Sequence, residues 1–220
     1  MKGGRGMASE EMIWRIERGE IRVPVSTVPE GVSGEWVVRR FTVEENEGGR
    51  LRALVNPHAM GRWTPPGTYT GLFHRGSVIM SDTVDECCDL LPIIGRHNAA
   101  HVLVGGLGLG VVLGALLQRE GIKEIVVVEI EQDVINLVGP HYTALASSRG
   151  VRLEIVHADL FEWSPKRGTR YDAVWLDIWP DICADHLAGM QKLLRRFRGR
   201  SPWVRAWCQV EMQSTLRRGW

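Results

Sequence analysis

From His101 to Gly114 the sequence HVLVGGLGLGVVLG passes from a short β-branched apolar run into a glycine cluster and out again into an apolar run with helical spacing. It reads as strand, tight turn and helix. Val102, Leu103 and Val104 suit a strand buried on both faces. Gly105, Gly106, Gly108 and Gly110 let the backbone turn sharply and leave its surface open to close approach. Val111 to Gln118 then begins a helix over the turn. In open α/β sheets, a turn of this kind at the carboxyl end of a parallel strand is where nucleotide-like ligands bind. The spacing is G-x-G-x-G, whereas the dinucleotide fingerprint needs a glycine at Val111 and a P-loop needs Gly-Lys-Ser/Thr at its end. Neither is met.

Downstream, Ile125 to Val128 is a second apolar strand ending in Glu129, at roughly the twenty-residue spacing where an acidic side chain takes ribose hydroxyls. Two carboxylate oxygens against two hydroxyls make an oriented, charge-assisted contact. A third strand, Leu153 to Val156, runs into His157-Ala158-Asp159, and a fourth, Ala173 to Leu176, ends at Asp177. Three successive strands thus carry a carboxylate to one edge of one sheet.

Taken together, VLVGGLGLG, VVVEI, HADLF and YDAVWLD, in this order and spacing, resemble the nucleotide-binding core of class I S-adenosylmethionine-dependent methyltransferases, most closely the spermidine synthase branch. The likeness runs from about Ser81 to Asp181. It implies a Rossmann-like open parallel sheet and S-adenosylmethionine as cofactor. By that resemblance Gly105, Gly106, Gly108 and Gly110 pass the methionine part of the cofactor and Glu129 holds the ribose. Asp159 faces the adenine amino group, Leu160 offers its backbone N–H to the ring, and Asp177 stands beside the sulfonium.

Methyl transfer from a sulfonium is an in-line displacement, so the protein must align a nucleophile, strip its water and, where needed, remove a proton. In YDAVWLDIWPD, Asp177 is the expected catalytic residue, and Trp179 is placed to stack on a flat substrate or cover the site. Asp181 is another substrate candidate, and the resemblance adds Asp85, since spermidine synthases carry an acidic pair in the helix just ahead of the glycine strand. The structural alternative for Asp85 and Glu86 is that Thr83 and Glu86 form a capping box for a helix running to about Ile94. Spermidine synthases typically write G-G-G-D-G at the turn and D-S-S-D-P after the fourth strand. Here Leu109 replaces the first aspartate and Asp177-Ile178-Trp179-Pro180-Asp181 lengthens the second spacing. Both departures favour methyl transfer over aminopropyl transfer.

The 220 residues allow one sizeable core and a small extra domain, burying about 70% of the unfolded surface. Lys plus Arg number 27 against 26 Asp plus Glu, so overall charge neither favours nor excludes a nucleic-acid partner. Cys87, Cys88, Cys183 and Cys208 form no C-x-x-C, and the histidines show no H-E-x-x-H, so neither a disulfide framework nor a metal site is expected. The apolar run from Val102 to Leu117 is too short for a membrane span and holds five glycines. The first ten residues lack an apolar signal core, so a cytoplasmic location is expected.

Ahead of the glycine strand, strands are expected at Ile21 to Val25, Trp36 to Val43, Leu51 to Val55, Tyr69 to Phe73 and Ser77 to Met80, after a short helix between Glu11 and Arg18. Beyond it, Gly139-Pro140 should end a helix from Gln132 near Val138. A helix from Ile182 to Phe197 and a strand from Trp203 to Cys208 then leave an α/β sheet shortened to about five strands. The expected organisation is a tail or short helix over 1–19, a small β-rich domain over 20–80, the Rossmann-like domain over 81–208 and a tail over 209–220. From Lys192 to Arg218, eight basic residues face one acidic residue, interleaved with Phe197, Trp203 and Trp207. This fits a solvated helix face with a core strand, or a nucleic-acid surface.

The sequence reading is therefore a methyltransferase acting on a small-molecule or nucleic-acid acceptor, with room for a homodimer contact. The alternatives are a spermidine synthase-like aminopropyltransferase, or a non-catalytic cofactor-binding or assembly protein of the same fold.

Overall fold

Strand β5 (His101–Gly105) is buried along almost its whole length because it sits in the middle of a parallel sheet. The computed structural model describes residues 25–44, 64–96, 98–210 and 213. Beside β5 lie β6 (Glu124–Glu129) and then β7 (Arg152–His157) on one side, and β8 (Ala173–Leu176) and then β9 (Val204–Ala206) on the other. All four pairings are parallel. In sheet-strand order this is 3-2-1-4-5, the Rossmann-like open arrangement, with its topological switch point between β5 and β8.

Alternation along the strands divides the core in two. Val102, Val104, Ile125, Val127, Ala173 and Trp175 face one side, with helices α3 (Val111–Leu117) and α4 (Gln132–Ser148). Leu103, Val126, Val128, Val174 and Leu176 face the other, covered by helix α5 (Leu187–Arg198) through Leu187, Met190, Leu193, Leu194 and Phe197. A 3-10 turn over Ala184–His186 leads into α5, so the regular helix starts five residues later than expected. Phe197 is fully buried, Trp203 stacks on Trp175 at 6.3 Å, and Trp207 packs on both cores. The aromatics of the basic stretch therefore point inward.

A second, antiparallel sheet runs in the order β1 (Gly31–Ser33), β2 (Trp36–Val43), β3 (Gly67–His74) and β4 (Ser77–Ser81). The β1 strand was not expected. The strands expected at Ile21 to Val25 and Leu51 to Val55, and the helix at Glu11 to Arg18, fall largely or wholly outside the described residues. Buried Asp82, 3% exposed, accepts the N–H groups of Ser26 at 3.0 Å and Thr70 at 2.6 Å. The two sheets are tied by Ser33 Oγ donating to Asp133 at 2.7 Å, by Thr27 and His141 at 2.8 Å, and by Val38 and Leu72 entering the first core.

Two local expectations are corrected. Helix α4 does not end at Gly139-Pro140 but continues through it to Ser148. Pro140 is exposed and lies off the buried stripe of Val134, Val138, Tyr142 and Ala146. Burial of that stripe outweighs the roughly 3 kcal/mol that an interior proline costs. Nor does the capping box form. Thr83 makes no side-chain cap, and Glu86 reaches past it to accept from Ser81 N at 2.7 Å and Ser81 Oγ at 2.8 Å. The helix expected to reach Ile94 is broken at Leu90 into α1 (Val84–Asp89) and α2 (Leu91–Ile94). Pro92 cannot continue the first helix but fits the first turn of the second.

Candidate functional site

A cavity of about 440 Å³ opens at the switch point, within the size range of small-molecule sites. Glu129, Asp159 and Asp177, from the ends of β6, β7 and β8, all line it with Gly106 and Gly108. The parallel register sends every carboxyl end to the same edge.

Glu129 is 8% exposed and braces two loops. Its Oε2 accepts the Leu107 N–H of the glycine turn at 2.7 Å, and its Oε1 accepts the Glu131 N–H at 2.8 Å. Each oxygen keeps a further acceptor site. Asp159 accepts the Phe161 N–H at 2.7 Å, which folds the chain sharply after β7. The Asp159 carbonyl accepts from Glu162 N at 3.0 Å and Trp163 N at 2.7 Å. In a trans peptide the Leu160 N–H points the opposite way, and it has no partner among the described residues. An unpaired donor beside a cavity suits a ring nitrogen.

Asp177 does not cap a helix, since the next helical turn begins at Ala184. Its N–H donates to the Gly105 carbonyl at 2.7 Å, which locks β8 to the glycine turn. Burial pushes its carboxyl up to about 7. Trp175 pulls the other way without closing a hydrogen bond of ordinary geometry at its Nε1, and the charges of Asp89 and Glu86 add to the rise. A carboxyl with a pKa near neutrality is suited to taking a proton.

The glycines are held by protein as much as by any ligand. A Cβ at Gly106, whose φ is +92°, would lie 2.0 Å from the Asp177 carbonyl oxygen. A Cβ at Gly110, with φ +71°, would meet the Tyr142 ring at 2.0 Å. At Gly105 it would meet Leu160 at 2.5 Å, and at Gly108 the Met80 sulfur at 2.6 Å. Gly105 and Gly110 are thus packing positions behind the turn, while Gly106 and Gly108 reach the cavity.

Of the substrate candidates, Trp179 is 8% exposed and lines the cavity. Asp181 lies outside its lining, exposed and 2.7 Å from His186. The side chain of Asp85 is outside the described residues, and its neighbour Glu86 is the one at the cavity. His157 bonds to the Ile130 carbonyl at 2.9 Å and takes a structural part. Sequence reasoning missed Trp36, Met80 and Trp207, which wall the cavity from the antiparallel sheet and from beyond β9. Met80 Sδ accepts the Leu109 N–H at 3.3 Å, and Trp207 Nε1 donates to Asp89 at 3.1 Å. No local pattern marks these residues, because contacts across 29 and 118 positions bring them in. Among the described residues no group of side chains is arranged to hold a metal ion, and no helix is long and apolar enough to cross a membrane.

No protein-family model matches the chain. It is similar to a polyamine aminopropyltransferase of Hamiltonella defensa subsp. Acyrthosiphon pisum, 40% identical over 57 residues, covering 24% of this chain and 20% of the relative. It is also similar to polyamine aminopropyltransferase 1 of Streptomyces coelicolor, 31% identical over 111 residues, 46% of this chain and 20% of the relative. The chain thus spans about a fifth of the length of these curated relatives. Similar solved structures include the methyltransferase domain of bacterial CtHen1, at 22% identity and TM-score 0.39, covering 49% of this chain and 57% of that one. An RNA methyltransferase from Salinibacter ruber in complex with S-adenosyl-L-homocysteine matches at 18% identity and TM-score 0.37, covering 51% and 65%. By topology the chain is a Rossmann-like open α/β protein, similar in sequence over part of its length to polyamine aminopropyltransferases.

Proposed function

We propose that the chain binds S-adenosylmethionine and transfers its methyl group to an acceptor that enters the cavity beside Asp177. The observation that carries this reading is the convergence of Glu129, Asp159 and Asp177 with Gly106 and Gly108 on one cavity at the switch point. The residues present fit such a cofactor: Glu129 has acceptor sites left for two hydroxyls, and the Leu160 N–H and the second Asp159 oxygen suit the adenine edge. When bound, the cofactor supplies an electrophilic methyl on a sulfonium. Asp177 then takes the acceptor's proton at its carboxylate, Trp179 and Trp207 exclude water, and Trp36 and Met80 close the cavity from the second sheet.

Support for methyl over aminopropyl transfer comes from the two departures in sequence. Leu109 is fully buried and offers no carboxylate, and Asp181 lies outside the cavity. A specific observation favours aminopropyl transfer as the second reading. The lining carries Glu86, Glu129, Glu131, Asp159 and Asp177 but no Lys, Arg or His among the described residues. That charge balance suits a cofactor without a carboxylate, and the curated relatives are named polyamine aminopropyltransferases.

Calorimetric titration with S-adenosylmethionine, S-adenosylhomocysteine and decarboxylated S-adenosylmethionine decides between the two. Preference for the two carboxylate-bearing ligands is expected; preference for the decarboxylated one establishes the second reading, and no binding to any of the three defeats both. In the same titration Glu129→Ala is expected to lose about 1 to 3 kcal/mol of cofactor affinity, as a charge-assisted contact goes and the turn loses its brace. Unchanged affinity would remove the ribose from Glu129.

A further inference from the structure

Four hydrogen bonds join one side chain of α5 to the loop after β7. Arg196 donates from Nη1 to the carbonyls of Leu160 at 3.0 Å and Phe161 at 2.8 Å. From Nη2 it donates to the Trp163 carbonyl and, at 2.7 Å, to Ser164 Oγ. Arg196 itself does not line the cavity, but Ala158, Asp159, Leu160 and Phe161 do.

The same face of α5 shapes the loop at two more positions with helical spacing. A Cβ at Gly189 would stand 3.1 Å from the Phe161 ring, and Lys192 Nζ lies 5.7 Å from that ring's centroid. Gly189, Lys192 and Arg196 follow an i, i+3, i+7 pattern, so one stripe of the helix receives the loop. A planar guanidinium with five fixed donors is suited to gathering several carbonyls at once; an ammonium on a flexible stem is not.

We infer that Arg196 is a positioning residue for the base of the bound ligand. It acts by holding the carbonyls of residues 160, 161 and 163 on the helix side of the loop. The Leu160 N–H and the Asp159 carboxylate are then left at the cavity with fixed orientation. This rests on the reading that the loop receives adenine. The sheet-side parts of the site, Glu129 and the glycine turn, do not depend on Arg196.

The test compares S-adenosylhomocysteine with S-inosylhomocysteine, whose base lacks the amino group, by calorimetry on the full chain. Wild-type protein should prefer the adenosyl ligand by tenfold or more. Arg196→Met should reduce that preference to about twofold, and Arg196→Lys should give an intermediate value. A general loss of stability would weaken both ligands alike and leave the preference intact. That result, or wild-type affinity for both ligands in Arg196→Met, would overturn the inference. Arg196→Lys, which keeps the charge and one or two of the bonds, serves if Arg196→Met does not fold. Wild-type protein that binds neither ligand, or both equally, defeats the base reading itself and is told apart because no variant is needed to see it.

Discussion

Asp177→Asn is expected to slow transfer by about 10²–10⁴-fold, the usual contribution of a positioned general base, while raising stability above neutral pH. The two effects have one cause. Burial raises the Asp177 carboxyl from 3.8 to about 7, so the fold disfavours its ionised form. Below about pH 4 the folded and unfolded chains both hold the proton, and the variant gains nothing from this source. Between about pH 4 and 7 the unfolded chain releases its proton while the folded chain keeps it, so rising pH favours unfolding of the parent. Above about pH 7 the full penalty is present, on the order of 4 kcal/mol, and asparagine avoids it. Thermal unfolding of both proteins from pH 4 to 8 checks this. A stability difference that stays constant across that range would mean that Asp177 titrates normally, and it could not then serve as a near-neutral base. Retained cofactor binding with lost turnover would separate the catalytic reading from a non-catalytic cofactor-binding role.

Gly106→Ala should destabilise the chain by about 3 kcal/mol and abolish ligand binding. Alanine at φ +92° carries backbone strain of about 1–2 kcal/mol, and its Cβ would fall 2.0 Å from the Asp177 carbonyl oxygen. Relief requires β8 to move away from β5, at a further cost of about 1–3 kcal/mol. Asp177 moves with it. Gly121 provides the control, with φ +85° and nothing within 4 Å of its Cβ position. Gly121→Ala reports strain alone, so urea midpoints of the two variants isolate the clash. Equal shifts would contradict the close approach of β8 to the glycine turn.

Much of the site was legible because it is local in the chain. Val102 to Val104, Ile125 to Val128 and Ala173 to Leu176 are unbroken apolar runs of strand length, as strands buried on both faces must be. Each is followed at once by its glycine or its carboxylate. Parallel pairing then puts all the strand ends at one edge, so the meeting of Glu129, Asp159 and Asp177 follows from pattern alone. The glycines were legible as a turn, but their neighbours were not.

What failed in the sequence reading depends on which surfaces and which donors the fold brings together. Gly139-Pro140 carries a strong local stop signal, yet the buried stripe from Val134 to Ala146 holds α4 straight through it. Thr83-x-x-Glu86 matches a capping box, yet Ser81 offers Glu86 two donors and takes it. Arg196, flanked by Arg195 and Arg198, looks like one more charge on a basic helix until the loop after β7 folds onto it. The sequence by itself determined which strands form the sheet's binding edge, its glycine turn and the three carboxylates, because these follow from periodicity and from residues adjacent to each strand. The tertiary structure alone decided the cavity's tryptophan and methionine walls, the carbonyl that requires Gly106 and the raised pKa of Asp177. Those depend on which distant surfaces exclude water from one another, and local spacing carries no record of that.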